Sequence, residues 1–196
     1  MSMRYFTKDL IAAANDWVEQ SPAEQKQAEA RLDSVFKQYM QQLDQLKNRL
    51  SRDAFQFFRH GYGSEGLHDA RLLSLQVGDG IGYITDGTQP FRINRQHTSV
   101  IVEFLNYEQT AHSIFDLRQV KRLSCDLFVD NESYAKSIGD LYTYELTAAG
   151  DDLQLGLLFA TGATIGVHFG KLVFRKKRLK EAPKQSSHKK AHKAQK

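Results

Sequence analysis

Apolar residues in this chain change their period at Phe58, and that change constrains the fold more than any other feature of its 196 residues. Before it they recur at Leu32, Phe36, Tyr39, Leu43, Leu46 and Leu50, a 4-3-4-3-4 spacing that lays one narrow stripe along a helix. After it they alternate. Arg71–Val77, Ile81–Thr85, Thr98–Asn106, Tyr142–Leu146, Leu153–Phe159 and Ile165–Phe174 read as strands. Ser113–Leu117 and Leu123–Val129 are two further strand candidates. Most of these segments follow one another with no helix between them, so the class is α+β with a mostly antiparallel sheet.

Thr7 is placed to cap a first helix carrying Leu10, Ala13, Ala14, Trp17 and Val18 on one face. Ser21-Pro22-Ala23-Glu24 then has the form of a capping box with proline at the first helical position. The stripe predicts one long second helix; run on to Phe58 it would be on the order of 55 Å long. The expected organisation is a helical hairpin over residues 1–60, an antiparallel β domain over 61–174 and a disordered basic tail over 175–196. The first helix can cover only the start of the stripe. The rest must pack on the sheet or on another chain, which points to self-association or a protein partner through the long helix. Turns are expected at Gly78-Asp79-Gly80, closing a hairpin, at Ala149-Gly150-Asp151 and at Thr161-Gly162, with Asn131–Ser137 a loop or a single helical turn.

Charge is divided unevenly. Eleven of the 27 basic residues lie in Lys171–Lys196 beside one acid, Glu181, a net of +10; residues 1–170, with 16 basic and 22 acidic, carry −6. Arg175, Lys176, Lys177, Arg178, Lys180, Lys189 and Lys190 are the candidate contacts to a polyanion such as nucleic acid. No aromatic residue follows Phe174, so such contacts would read backbone charge and little sequence. The only cysteine, Cys125, excludes an intrachain disulfide, fits a reducing cytoplasm and is expected as a buried thiol in a strand. Met1–Asp16 holds only the short apolar stretch Leu10–Ala14, too little for a secretory leader. Leu153–Gly170 is uncharged, yet its Gln154, Thr161, Thr164, His168 and four glycines divide it into two strands and argue against a membrane span.

Gly61-Tyr62-Gly63-Ser64-Glu65-Gly66 spells G-x-G-x-x-G, but a helix precedes it and a strand follows, the reverse of a dinucleotide fold. The same stretch brings His60, Glu65, His68 and Asp69 within ten residues, donor types that suit zinc or a redox metal. The competing reading has His68-Asp69 opening the first strand, with Asp69 accepting backbone hydrogen bonds and His68 half-buried against Tyr62 or a neighbour. Asp151-Asp152 falls in a turn and is expected to be solvated, and His168 to face away from the core. There is no G-x-S-x-G elbow or H-E-x-x-H helix, and no cofactor is implied.

Met3-Arg4-Tyr5-Phe6-Thr7-Lys8-Asp9-Leu10 resembles the opening of a family of uncharacterised bacterial cytoplasmic proteins that begin M-R-Y-F-T-x-x-L. Leu67-His68-Asp69-Ala70 is similar to the His-Asp element that opens the β-region of that family and of several small immunity-type proteins. Tyr144-Glu145, followed by two alternating strands to Phe174, shares the cadence. The resemblance implies architecture and a bacterial origin, and no activity. The leading expectation is a non-enzymatic binding or interaction protein. The alternatives are a metal-assisted enzyme using His60, Glu65, His68 and Asp69, and a nucleic-acid accessory protein acting through the tail.

Overall fold

The computed structural model describes residues 3–15, 20–61, 66–78, 81–84, 92–95, 98–127 and 138–179. Helix α1 spans Lys8–Asn15, and Thr7 Oγ1 accepts from the Leu10 N–H at its start. Helix α2 spans Pro22–Gln45 and begins in the expected capping box: Ser21 Oγ accepts from the Glu24 N–H, while the Glu24 carboxylate accepts from the Ser21 N–H. Along its stripe Tyr39, Leu43 and Leu46 are fully buried, and Leu32, Phe36 and Leu50 pack partly buried on the same core. The chain covers this stripe itself, with the sheet and with its N-terminal segment, whose Phe6 ring lies 5.2 Å from that of Tyr39 and 6.4 Å from that of Phe36.

The expected single helix to Phe58 does not form. α2 stops at Gln45, a 3-10 turn follows over Lys47–Arg49, and Ser51 accepts from the Ala54 N–H to cap a separate helix α3, Arg52–His60. The break has two consequences. It aims the Arg49 guanidinium at the carbonyls of Gly150, Asp151 and Asp152, at 3.1, 2.5 and 2.7 Å. It also redirects the chain so that α3 buries Ala54, Phe55, Phe57 and Phe58. Phe58 meets Tyr144 and Phe115, each ring within 6 Å.

The main sheet has six antiparallel strands in the order β1-β4-β5-β8-β7-β6. They are β1 Arg71–Gly78, β4 Ser99–Leu105, β5 Ala111–Asp126, β6 Leu141–Ala149, β7 Asp152–Phe159 and β8 Thr164–Arg178. The two outermost strands meet: Ala70 bridges Leu141, with Asp69 N–H on Leu141 O and Leu141 N–H on Ala70 O, each at 2.8 Å. The sheet therefore curls until its edges touch at one end, and one core cluster draws on helices and sheet alike. Along the open part of β6, Tyr39 Oη accepts from the Leu146 N–H, which satisfies an edge group that would otherwise invite pairing. Strands β2, Ile81–Ile84, and β3, Arg92–Arg95, form a separate ladder.

Three strand expectations change. The hairpin of the first two strands is replaced, because β1 pairs with β4 and β2 with β3. Ser113–Leu117 and the first four residues of Leu123–Val129 belong to one long strand, β5, whose register slips between Val120 and Arg122 beside Gln119, at a φ of 57°; Val129 lies outside the described residues. Gly170 lies against this bend; a Cβ there would collide with Gln119 Oε1. Most consequentially, β8 does not end at Phe174. Arg175–Arg178 pair with Ala111–Ile114, so ladder hydrogen bonds carry four expected tail residues into the sheet. Residues 180–196 and Asn131–Ser137 lie outside the described residues. Leu153–Gly170 is β7, a turn at Thr161-Gly162 and part of β8, and among the described residues no helix is long and apolar enough to cross a membrane. Cys125, expected buried, is exposed.

Candidate functional site in the α3–β8 cleft

Helix α3 turns a second, mostly polar face toward the end of β8. Asp53, Gln56, Phe57 and His60 stand at positions i, i+3, i+4 and i+7, which align on one side of a helix. That side borders a cleft of about 560 Å³ whose opposite wall is the end of β8, Phe174, Arg175 and Lys176, with Gly61 at one end. The volume falls within the range of small-molecule sites. Phe57 and Phe174 form an apolar floor, their ring centroids 4.5 Å apart. Strand alternation puts Lys176 on the same side as Phe174 and sends the Arg175 side chain to the opposite face. A carboxylate, an amide, an imidazole and an ammonium group thus surround the two rings. Together they can accept and donate hydrogen bonds and offer charge of both signs.

The α3 wall is held from below by Tyr144. Its hydroxyl donates to Gly61 O at 2.7 Å and accepts from the Leu67 backbone, so it clasps both ends of the link from α3 toward β1. Burial pushes the pKa of this phenol far above its ordinary value, and it stays protonated. Gly61 permits the clasp, because a Cβ there would collide with Phe57 O and stand 2.5 Å from Tyr144 Oη.

The proposed metal donors occupy different surroundings. His60 lines the cleft. His68 Nδ1 lies 2.8 Å from Asp69 Oδ2, both side chains about half exposed, and the His68 ring rests 5.6 Å from Tyr142. Asp69 takes a positive φ of 59° as the chain enters the closing bridge. Among the described residues no three His, Cys, Asp or Glu side chains gather as a metal would require, and Glu65 lies outside those residues. Of the polyanion candidates, Arg175, Lys176, Lys177 and Arg178 are in β8, and Lys180, Lys189 and Lys190 lie outside the described residues.

Two further polar clusters were not foreseen. Glu145, almost fully buried in β6, accepts from the backbone N–H groups of Arg4, Tyr5 and Phe6 at 2.5, 2.8 and 3.2 Å. Burial raises its pKa, and the three N–H donors oppose that rise. Asp152, expected to be solvated, is instead held between Lys121 Nζ at 2.5 Å and His168 Nε2 at 3.1 Å, and the Lys121 hydrogen bond foremost keeps its carboxyl below the usual range. The residues Arg4–Phe6 and Glu145 are far apart in sequence and in direct contact here. The α3 face was legible in principle as a polar stripe interrupted by one aromatic; its merger into a supposed longer helix hid it. Lys176 carried no such signal, since charge alone placed it in the tail. No family model, curated protein or solved structure matches this chain.

Proposed function

We propose that this chain is a non-enzymatic binding module of the bacterial cytoplasm that takes a small polar molecule with an apolar face into the α3–β8 cleft. The observation that carries this reading is the second face of α3. Asp53, Gln56 and His60 flank Phe57 and line a ligand-sized cleft. A flat or apolar portion of the ligand would lie on Phe57 and Phe174. Its polar groups would be read by Gln56 and His60, with Lys176 favouring an acidic substituent and Asp53 a donor.

The test is a thermal-shift screen against small amino, carboxylic and phosphorylated metabolites, each ligand that raises the melting temperature then being titrated by calorimetry. A ligand at a hundred times its Kd stabilises by about 2.7 kcal/mol. Gln56→Ala and His60→Ala, both at exposed positions, should weaken binding about tenfold or more while leaving the unliganded melting temperature in place. Ligands that bind these variants as tightly as the parent chain contradict the assignment of the cleft.

A further inference from the structure

The extension of β8 also reorganises the chain's basic residues. On the face of the sheet turned away from α3, cross-strand rows run Arg71–Leu105–His112–Lys177, Glu103–Ile114–Arg175 and Ser99–Arg118–Lys171. Two carboxylates among these rows, Glu103 and Asp116, are already engaged. Glu103 Oε2 lies 3.4 Å from His112 Nε2, and Asp116 accepts two hydrogen bonds from Arg118, at 3.0 and 2.7 Å. Among the described residues no carboxylate pairs with Arg71, Lys171, Arg175 or Lys177, and all four are exposed. The face is therefore a patch of surplus positive charge on rigid strands, where alternate residues of β8 stand about 6.8 Å apart.

An aromatic group stands at its end. The β4–β5 turn, residues 106–110, joins Leu105 to Ala111, and at Tyr107 it exposes 73% of the residue. That turn is built. Buried Asn106 accepts from the N–H groups of Thr110 and Ala111 and donates to Thr110 Oγ1, while Gln109 takes a positive φ of 58°. The chain leaving β8 is tied to the same turn, Leu179 N–H donating to Thr110 O at 2.8 Å. The turn that carries Tyr107 is thus joined to the end of β8, seventy positions away in sequence. The absence of aromatics after Phe174 misses a ring brought in by the fold.

We propose that this face binds single-stranded nucleic acid: Arg71, Lys171, Arg175 and Lys177 take the phosphates, and one unstacked base lies on Tyr107. Every base has a face that can stack on an aromatic ring, so the contact tolerates sequence and requires an unpaired strand. The cations supply affinity through counterion release. Glu108, exposed on the same turn, opposes a phosphate next to Tyr107.

The test uses the full chain and a fluorescent twelve-nucleotide oligo-dT, followed by anisotropy across a salt series. Tyr107→Ala should weaken binding about tenfold, Tyr107→Phe should leave it near the parent value, and Glu108→Gln should tighten it. The double variant Arg175→Gln/Lys177→Gln should lower the magnitude of the logarithmic salt slope by about 1.4. Duplex DNA of the same length should bind more weakly and be indifferent to Tyr107→Ala. Parent-like binding by both Tyr107→Ala and the double variant overturns the proposal and leaves attraction to residues 180–196 alone. Duplex bound as tightly as the single strand overturns it as well, as does a stronger preference for phosphatidylserine vesicles.

Discussion

Tyr144→Phe isolates the clasp that holds the cleft wall. The substitution keeps the ring, which is 1% exposed and packed among Phe57 and Phe58, and removes one oxygen. That oxygen both donates to Gly61 O at 2.7 Å and accepts from the Leu67 backbone, so two buried main-chain groups lose a partner. A typical hydrogen bond contributes about 1 kcal/mol net, but a stranded buried group costs about 1–3 kcal/mol. The expected loss is therefore about 2–6 kcal/mol, and at roughly 2–4 °C per kcal/mol for a chain of this size the melting temperature falls by about 4–24 °C. Urea titration should show a lower midpoint with an unchanged slope, because the surface exposed on unfolding is the same. Hydrogen exchange should quicken most at the end of α3 and in Leu67, while the β4–β5 ladder keeps its protection. A variant with the parent's melting temperature and exchange pattern refutes the clasp.

Other perturbations follow from the same geometry. Gly61→Ala should destabilise more than Tyr144→Phe, because its Cβ meets the Phe57 carbonyl, which is backbone and cannot swing aside; equal denaturation midpoints for the two variants would contradict this. Leu43→Ala, at a fully buried site, should cost about 2–5 kcal/mol in chemical denaturation, a loss that an intermolecular role for the stripe would make dependent on protein concentration. Glu145 has a folded pKa raised by burial, so its contribution is fully present below the unfolded carboxylate value and is lost as pH rises through the folded one. Stability measured between pH 4 and 8 should carry that downward component in the parent and lose it in Glu145→Gln, and identical pH profiles would show that Glu145 titrates as in the unfolded chain.

Local signals carried the class and failed at the joints. Ser21 and Glu24 cap α2 as their spacing implies, and the stripe through Tyr39, Leu43 and Leu46 is buried, because both features are satisfied within a few turns of one helix. The stop at Gln45 escaped notice because no proline or glycine marks it. The stop is fixed by contacts remote in sequence, Arg49 on the turn after β6 and Phe57–Phe58 on the sheet. Alternation placed most strands but not their partners, so β1 and β2 looked like a hairpin when each pairs elsewhere. Composition drew the folded boundary at Phe174, yet the ladder with β5 continues to Arg178. The cleft depends on both of these joints, the separate α3 and the extended β8. Its full outline could not be read from either segment alone.

The most direct measurement is a two-dimensional amide NMR titration of the full chain with the tightest ligand from the metabolite screen. The account predicts shifts concentrated at Asp53, Gln56, His60, Phe174 and Lys176, with intermolecular contacts from the ligand to the Phe57 and Phe174 rings. Shifts centred on another surface, or a bound ligand with no contact to either ring, would contradict it.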